Sequence, residues 1–312
     1  MTTKTKLHEK KLPILVLMGG VSREREISLI SGEAIYKALI QKNYNAKKYI
    51  VDDEALEGIT PETCALAFIA LHGRFGEDGQ AQQILEERGV PYTGSDPSAS
   101  KNAMDKTLTK ELFKKNGVPT PPYQVLKEAA DAQNAIKSLG LPLFIKPADE
   151  GSSIGISKVL SAGEVAPAVE CALQYSNFAI AETLITGREM TCGILSDTPL
   201  PIIELKPKRD FYDYEAKYSS QSGTEYSFET GLTQEETSSL QEIAIRAHKS
   251  LGCKSVSRVD FMLSETGAAF VLEVNTIPGM TEHSLLPKAA QQAGLDFPSL
   301  CEKIALMAIE CV

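Results

Sequence analysis

A chain of 312 residues, 43% hydrophobic and 23% charged, carries enough apolar material for buried cores in more than one domain. Its 41 acidic and 32 basic side chains give a formal net charge of −9, the wrong sign for a broad nucleic-acid footprint. No apolar run nears the ~20 residues of a membrane span, and the 6 cysteines are dispersed without a Cys-x-x-Cys pair, which predicts reduced thiols in a cytoplasmic protein.

Met1 to Lys11 is polar and lysine-rich, and the apolar Leu12 to Met18 predicts a first buried strand rather than a signal peptide. A helix is expected over Ser22 to Lys42 with Ile27, Ile30, Ala34 and Ala38 on one face. Strands at Lys47 to Val51 and Ala65 to Leu71 and a helix at Gln80 to Arg88 complete a parallel α/β unit. Ligands of such units sit beyond the strand carboxyl ends, where Gly19-Gly20 and His72-Gly73 lie. Val90 to Asp96 reads as a boundary, and one helix is expected from about Ser98 to Asn116, stopped by Gly117 to Pro122.

Tyr123 to Val159 mixes strands with a helix, and Ala162 to Tyr175 reads as another helix. Strands follow at Phe178 to Glu182, Glu189 to Leu195 and Pro201 to Lys206. The polar stretch Pro207 to Gly231 exceeds a normal connection, which marks it as functional or disordered. Thr233 with Glu236 forms a capping-box signature for a helix ending near Leu251-Gly252. Ser255 to Leu263 and Ala269 to Val274 predict a hairpin about Ser264 to Gly267, and two helices close the chain. The expected domains are 1–96, 97–187 and 188–312.

The hairpin carries the strongest chemical signal. Alternation along a strand puts Glu273 and Asn275 on one face, with Asp260 on the partner strand beside them. Two carboxylates and an amide oxygen form a hard donor set suited to Mg²⁺ held jointly with phosphates. Arg258 adds a permanent cation on that face. Asp149 to Gly155, after Lys146-Pro147, reads either as a plain hairpin turn or as a loop whose N–H groups close over phosphate. Glu24 opens a helix, favoured there by the dipole or placed to bind an ammonium group. His72 is either a core histidine or a loop residue, and Ser284 either a cap or a carboxylate binder.

In this order the motifs resemble those of the D-alanine–D-alanine ligases of the ATP-grasp superfamily, from about Leu12 to the C-terminus. The matching stretches include Gly19 to Ser28, Ala70 to Gly79, Met104-Asp105-Lys106, Glu150 to Ser153, Phe211 to Tyr218, Arg258 to Asp260 and Glu273 to Ser284. The resemblance implies a three-domain ATP-grasp chain, α/β and α+β. Its parallel α/β domain is N-terminal, and nucleotide lies between the central and C-terminal domains. It implies ATP-dependent ligation of two D-alanine molecules through an acyl phosphate, for peptidoglycan precursors, by a homodimer. It also implies two Mg²⁺ ions, with Mn²⁺ as an alternative, on Asp260, Glu273 and Asn275.

For the nucleotide the resemblance implies Lys106, Lys146, Ser152, Ser153 and Lys217 around the phosphates. Glu182, Thr183, Leu184 and Ile185 would meet adenine, Glu189 the ribose, and Met262 and Leu272 the base. For the amino acids it implies Glu24 on the first D-alanine ammonium, linked through Ser152 to Tyr218, and His72 nearby. Arg258 and the Gly279 N–H would steady the oxyanion, and Ser284 and Leu285 would define the second D-alanine site. Thr183-Leu184 replaces the Lys-Trp of relatives, and Phe228 to Thr230 replaces a proline-alanine pair. The alternatives are a D-alanine–D-lactate or D-alanine–D-serine ligase, or a catalytically silent nucleotide-binding protein. Tyr218 argues against the lactate version, since the lactate-using relatives lack it.

Overall fold

The computed structural model describes residues 12–151, 154–206 and 224–310. Ser152, Ser153, Lys217 and Tyr218 lie outside the described residues, as does most of the long polar stretch.

The chain opens with β1 (Ile14–Gly19), α1 (Arg25–Gln41), β2 (Ala46–Val51), β3 (Leu66–Ile69) and α2 (Gln80–Glu87). The strands form a parallel sheet in the order β2-β1-β3. Every residue of β1 is buried, and alternate residues feed two cores. Ile14, Val16 and Met18 pack with α1, while Leu15 and Leu17 pack with Ala81 and Leu85 of α2. A central strand covered on both faces is the reason its sequence runs apolar without alternation.

The face expected for α1 is corrected. Its buried side is Ser28, Ser31, Gly32, Ile35, Ala38 and Leu39, which shares only Ala38 with the expected stripe. Ile30 is 55% exposed. Small residues let this helix approach β1 closely, so the apolar periodicity marks a different side.

The single helix expected from Ser98 to Asn116 is two, α3 (Pro97–Met104) and α4 (Lys106–Lys115). Asp105 between them is extended, at φ −81° and ψ 104°. Its carboxylate accepts from the N–H groups of Thr107 at 2.8 Å and Leu108 at 3.3 Å, so it caps the second helix. The break places Lys106 at a helix start.

A four-stranded antiparallel sheet follows, built from β4 (Tyr123–Leu126), β5 (Leu143–Pro147), β6 (Ser157–Val159) and β7 (Ala179–Thr183) in the order β4-β7-β5-β6. Helices α5 (Ala132–Leu139) and α6 (Ala162–Ala172) cover it. The second helix ends three residues before the expected Tyr175 and begins with a capping box of Ser161 and Glu164.

The last sheet contains β8 (Gly187–Leu195), β9 (Thr198–Pro199), β10 (Ile203–Lys206), β11 (Glu225–Ser227), β12 (Val256–Ser264) and β13 (Ala269–Asn275), in the order β11-β10-β8-β12-β13 with β9 on β8. Helix α7 (Gln234–Ser250) starts at the expected Thr233–Glu236 box. It covers a core that includes Phe261, Val259, Val271 and, from α4, Phe113. Burying a phenylalanine of this kind contributes about 2–3 kcal/mol. Helices α8 (Leu285–Gln292) and α9 (Phe297–Glu310) close the chain. Leu300 and Ile304 of α9 join Ile35 and Leu39 of α1 in one core, so the last helix ties the C-terminal sheet to the first.

Candidate active site

The hairpin of β12 and β13 pairs Arg258 with Asn275 and Asp260 with Glu273. Register shifts between Asp260 and Phe261, so Leu272 is the extra residue of a bulge. A bulge breaks strict alternation, and both Leu272 and Glu273 line the same cavity. Arg258 grips Asp260 with Nε 2.9 Å from Oδ1 and Nη2 2.7 Å from Oδ2. Thr191 Oγ1 donates to Oδ1 at 2.6 Å and Asn275 Nδ2 to Oδ2 at 3.1 Å. Four donors therefore fix this carboxylate. The oxygens of Asp260, Glu273 and Asn275 fit a hard divalent cation, and three protein ligands leave the remaining positions to phosphate oxygen or water.

Across the cavity, Lys106 at the start of α4 donates its Nζ to the Glu150 carbonyl at 2.5 Å. Lys146 on β5 lies 2.7 Å from Glu182 Oε2, and Lys110 lies 2.9 Å from Glu182 Oε1. Burial pushes the Glu182 carboxyl up, yet the two ammonium groups outweigh it and hold it at about 2. Lys110 and the carboxylate are both charged at neutral pH, since burial brings Lys110 down only to about 8.

Beyond Glu182 the chain leaves β7. The Thr183 N–H donates to the Pro122 carbonyl at 2.9 Å and the Leu184 N–H to the Pro142 carbonyl at 3.1 Å. Among the described residues no acceptor meets the Ile185 N–H, which leaves a donor at the cavity wall beside Phe144, Met262 and Leu272. Glu189 stands on β8 between Met262 of β12 and Leu205 of β10. Next to it Arg188 forks onto Glu204 at 2.8 and 2.7 Å.

At the far end, Glu24 is buried beside Gly73, whose φ is +68°. A Cβ there would lie 2.5 Å from the Glu24 carboxylate, so only glycine fits. His72 Nδ1 meets Glu77 Oε1 at 3.4 Å and His72 Nε2 meets Ser31 Oγ at 3.2 Å. Burial pushes the Glu77 carboxyl up; His72 opposes this and the Glu24 charge adds to it. Ser284 precedes α8, and its hydroxyl makes no cap to that helix. Instead the Thr281 N–H donates to Ser284 Oγ at 3.1 Å, and the two hydroxyls lie 2.9 Å apart. The first N–H groups of α8 are thereby left for an anion. Gly279 passes so close that a Cβ would sit 2.9 Å from Ser284 Oγ.

One cleft of about 850 Å³ is lined by helix and loop residues of the first α/β unit and by residues of the two later sheets. It collects Glu24, His72, Lys106, Lys146, Glu182, Thr183, Leu184, Ile185, Glu189, Arg258, Asp260, Met262, Leu272, Glu273, Asn275, Gly279, Ser284 and Leu285. Every expected site residue within the described stretches is among them.

Comparison with known proteins gives the family. Residues 112–306 match the model of the D-ala D-ala ligase C-terminus. A D-alanine–D-alanine ligase of Methylacidiphilum infernorum is 45% identical over 291 residues, which cover 93% of each chain. The chain belongs to the D-alanine–D-alanine ligase family. The match to solved ligases extends over 96% of the chain. A D-alanine–D-alanine ligase from Bacillus anthracis, solved as a complex with ATP, aligns at TM-score 0.84 with 29% identity over 96% of this chain and 98% of that one. The VanG D-Ala:D-Ser ligase from Enterococcus faecalis aligns at TM-score 0.83 with 28% identity over 96% and 100%. The chain therefore has the ATP-grasp fold of these ligases.

Three polar residues of this ligase site escaped the sequence reading. Glu77 stands within the Leu71 to Gly79 motif, five residues after His72, and its position was a usable signal. Lys110 is one helical turn after Lys106 on the same face, which the expected helix already implied. Thr191 has no local signal, because only the pairing of β8 with β12 brings it to Asp260.

Proposed function

We propose that the chain joins two D-alanine molecules into D-alanyl-D-alanine, converting ATP to ADP and phosphate, as a step toward peptidoglycan precursors. The observation that carries this reading is the cleft in which a hard-cation donor set, two lysines, Glu24 and the Ser284 helix start converge. The division into 1–96, 97–187 and 188–312 serves that cleft, with the amino acids held by the first and last units and nucleotide between the second and third.

Lys106 and Lys146 hold the phosphates, a role to which Ser152, Ser153 and Lys217 are also assigned. The Ile185 N–H meets the adenine edge, Met262 and Leu272 pack on the base, and Glu189 takes the ribose hydroxyls. Bound Mg²⁺, two ions on Asp260, Glu273 and Asn275 with Mn²⁺ as a substitute, supplies neutralisation of the phosphate charge. Glu24 pairs with the first D-alanine ammonium and aims its carboxylate at the γ-phosphorus. The carboxylate oxygen bonds to phosphorus as the bond to ADP breaks, giving D-alanyl phosphate. Ser284 and the Leu285 N–H then hold the second carboxylate while its amine attacks the acyl carbon. Arg258 and the Gly279 N–H stabilise the oxyanion until phosphate leaves, a contact worth on the order of 3 kcal/mol.

Tyr218, acting with Ser152 and Glu24, is assigned the preference for an amine over a hydroxyl nucleophile. Supporting this, a Cβ on Gly151, the residue before Ser152, would lie 3.9 Å from the Glu24 carboxylate. On the same reading the chain works in the cytoplasm as a homodimer. Among the described residues no helix is long and apolar enough to cross a membrane.

The test is ADP release with ATP and Mg²⁺ in the presence of D-alanine, L-alanine, D-serine or D-lactate, with products identified by mass. Dipeptide formed from D-alanine alone supports the reading; a D-lactate ester as the main product refutes the role given to Tyr218.

A further inference from the structure

Lys110 has no part in the mechanism above, yet it is fully buried. Its Nζ lies 2.9 Å from Glu182 Oε1 and donates to Thr120 Oγ1 at 2.6 Å. Thr120 Oγ1 in turn donates to the carbonyl of Val271 on β13, at 2.8 Å. The other Glu182 oxygen is 2.7 Å from Lys146, whose side chain is 12% exposed and faces the cleft. Lys110 itself does not line the cleft, and nothing bound there reaches it directly.

An isolated Glu182–Lys146 pair would be neutral, because the carboxylate would cancel the charge that a phosphate needs. With Lys110 on its second oxygen, the buried trio carries one net positive charge, exposed only at Lys146. The same contacts join α4, which carries Lys106, to the strand of Lys146's partner and to the strand of Glu273. We propose that Lys110 is a positioning residue for the nucleotide: it occupies Glu182 so that Lys146 meets the ATP phosphates with its charge uncancelled. This rests on the ligase reading above.

The charge arrangement makes a prediction that simple loss of packing does not. Lys110→Met leaves Glu182 to cancel Lys146, whereas Lys110→Met with Glu182→Gln restores a single positive charge at the same place. ATP affinity is measured by calorimetry on the full chain with Mg²⁺, and adenosine affinity by ligand-detected NMR. For Lys110→Met the Kd for ATP rises about tenfold or more while that for adenosine stays within about twofold, and in the double variant the ATP Kd returns to within about threefold of the parent. Equal ATP losses in the single and double variants, or parallel losses for ATP and adenosine, overturn the proposal.

Circular dichroism reports folding. Lys110→Arg, which keeps the cation, covers the case in which neither methionine variant folds: it binds ATP within about threefold of the parent if the charge is what matters, and a loss of about tenfold refutes it. Failure of the parent chain to bind ATP would instead remove the ligase reading, a separate result.

Discussion

Replacing Arg258 with methionine separates its two roles. The guanidinium and Asp260 are 15% and 12% exposed, a largely buried pair with two charge-assisted hydrogen bonds. Stripping a buried charge of its partner commonly costs 3–5 kcal/mol, roughly the figure for an orphaned ion. Asp260 is not orphaned here, because Thr191 and Asn275 still donate to it at 2.6 and 3.1 Å. The expected loss of stability is therefore smaller, about 2 kcal/mol. Loss of the oxyanion contact costs about 3 kcal/mol in the transition state, so kcat falls by on the order of 10²-fold. Arg258 also competes with a cation for the Asp260 oxygens, so the Mg²⁺ concentration giving half-maximal rate falls or holds. ADP release across a Mg²⁺ titration, with thermal unfolding alongside, measures all three. If excess Mg²⁺ restores kcat to within about threefold, Arg258 organises the metal site and the oxyanion role is refuted.

His248 offers a test of stability against pH. Burial lowers it from the ordinary 6.5 to about 4, with Asp197 opposing, and its Nδ1 lies 2.7 Å from Ser257 Oγ. The unfolded chain takes up this proton first, so stability is complete above about 6.5 and is lost as pH falls toward 4, by about 3 kcal/mol at most. Urea unfolding of His248→Gln shows a flatter dependence over that window, and an identical slope would contradict the assignment. Gly73→Ala forces a Cβ against Glu24 in a left-handed backbone, so the KM for D-alanine at the first site rises about tenfold while ATP affinity holds. Equal losses for both ligands would instead mean general disruption. Asp105→Ala removes the cap of α4 and lowers stability by about 1 kcal/mol; because Lys106 opens that helix, ATP affinity weakens with it, and an unchanged Kd would sever the link.

The elements of the first and last sheets were legible because each has a strong local signature. β1 is a continuous apolar run, the β12–β13 hairpin is bounded by Ser264 and Gly267, and α7 begins with a capping box. The face of α1 was not legible. Ser28, Ser31 and Gly32 supply half of its buried residues, and apolar periodicity is blind to residues that pack by being small. The break at Asp105 was readable in principle, since aspartate before a helical run is a cap signal, but the run on either side masked it. Within the cleft, motif residues could be found one loop at a time. The Glu182–Lys110 and Asp260–Thr191 pairs span 72 and 69 residues, and no spacing rule reaches across helix-on-strand packing or strand pairing of that range.

On the proposed route, one cleft activates the carboxylate of one D-alanine and delivers it to the amine of another. The direct measurement is a reaction of the full chain with ATP, Mg²⁺ and D-alanine in ¹⁸O-labelled carboxylate form, following the label by mass. Attack of the carboxylate on the γ-phosphorus predicts one ¹⁸O in the released phosphate for each dipeptide formed. Unlabelled phosphate alongside dipeptide would contradict the acyl phosphate route.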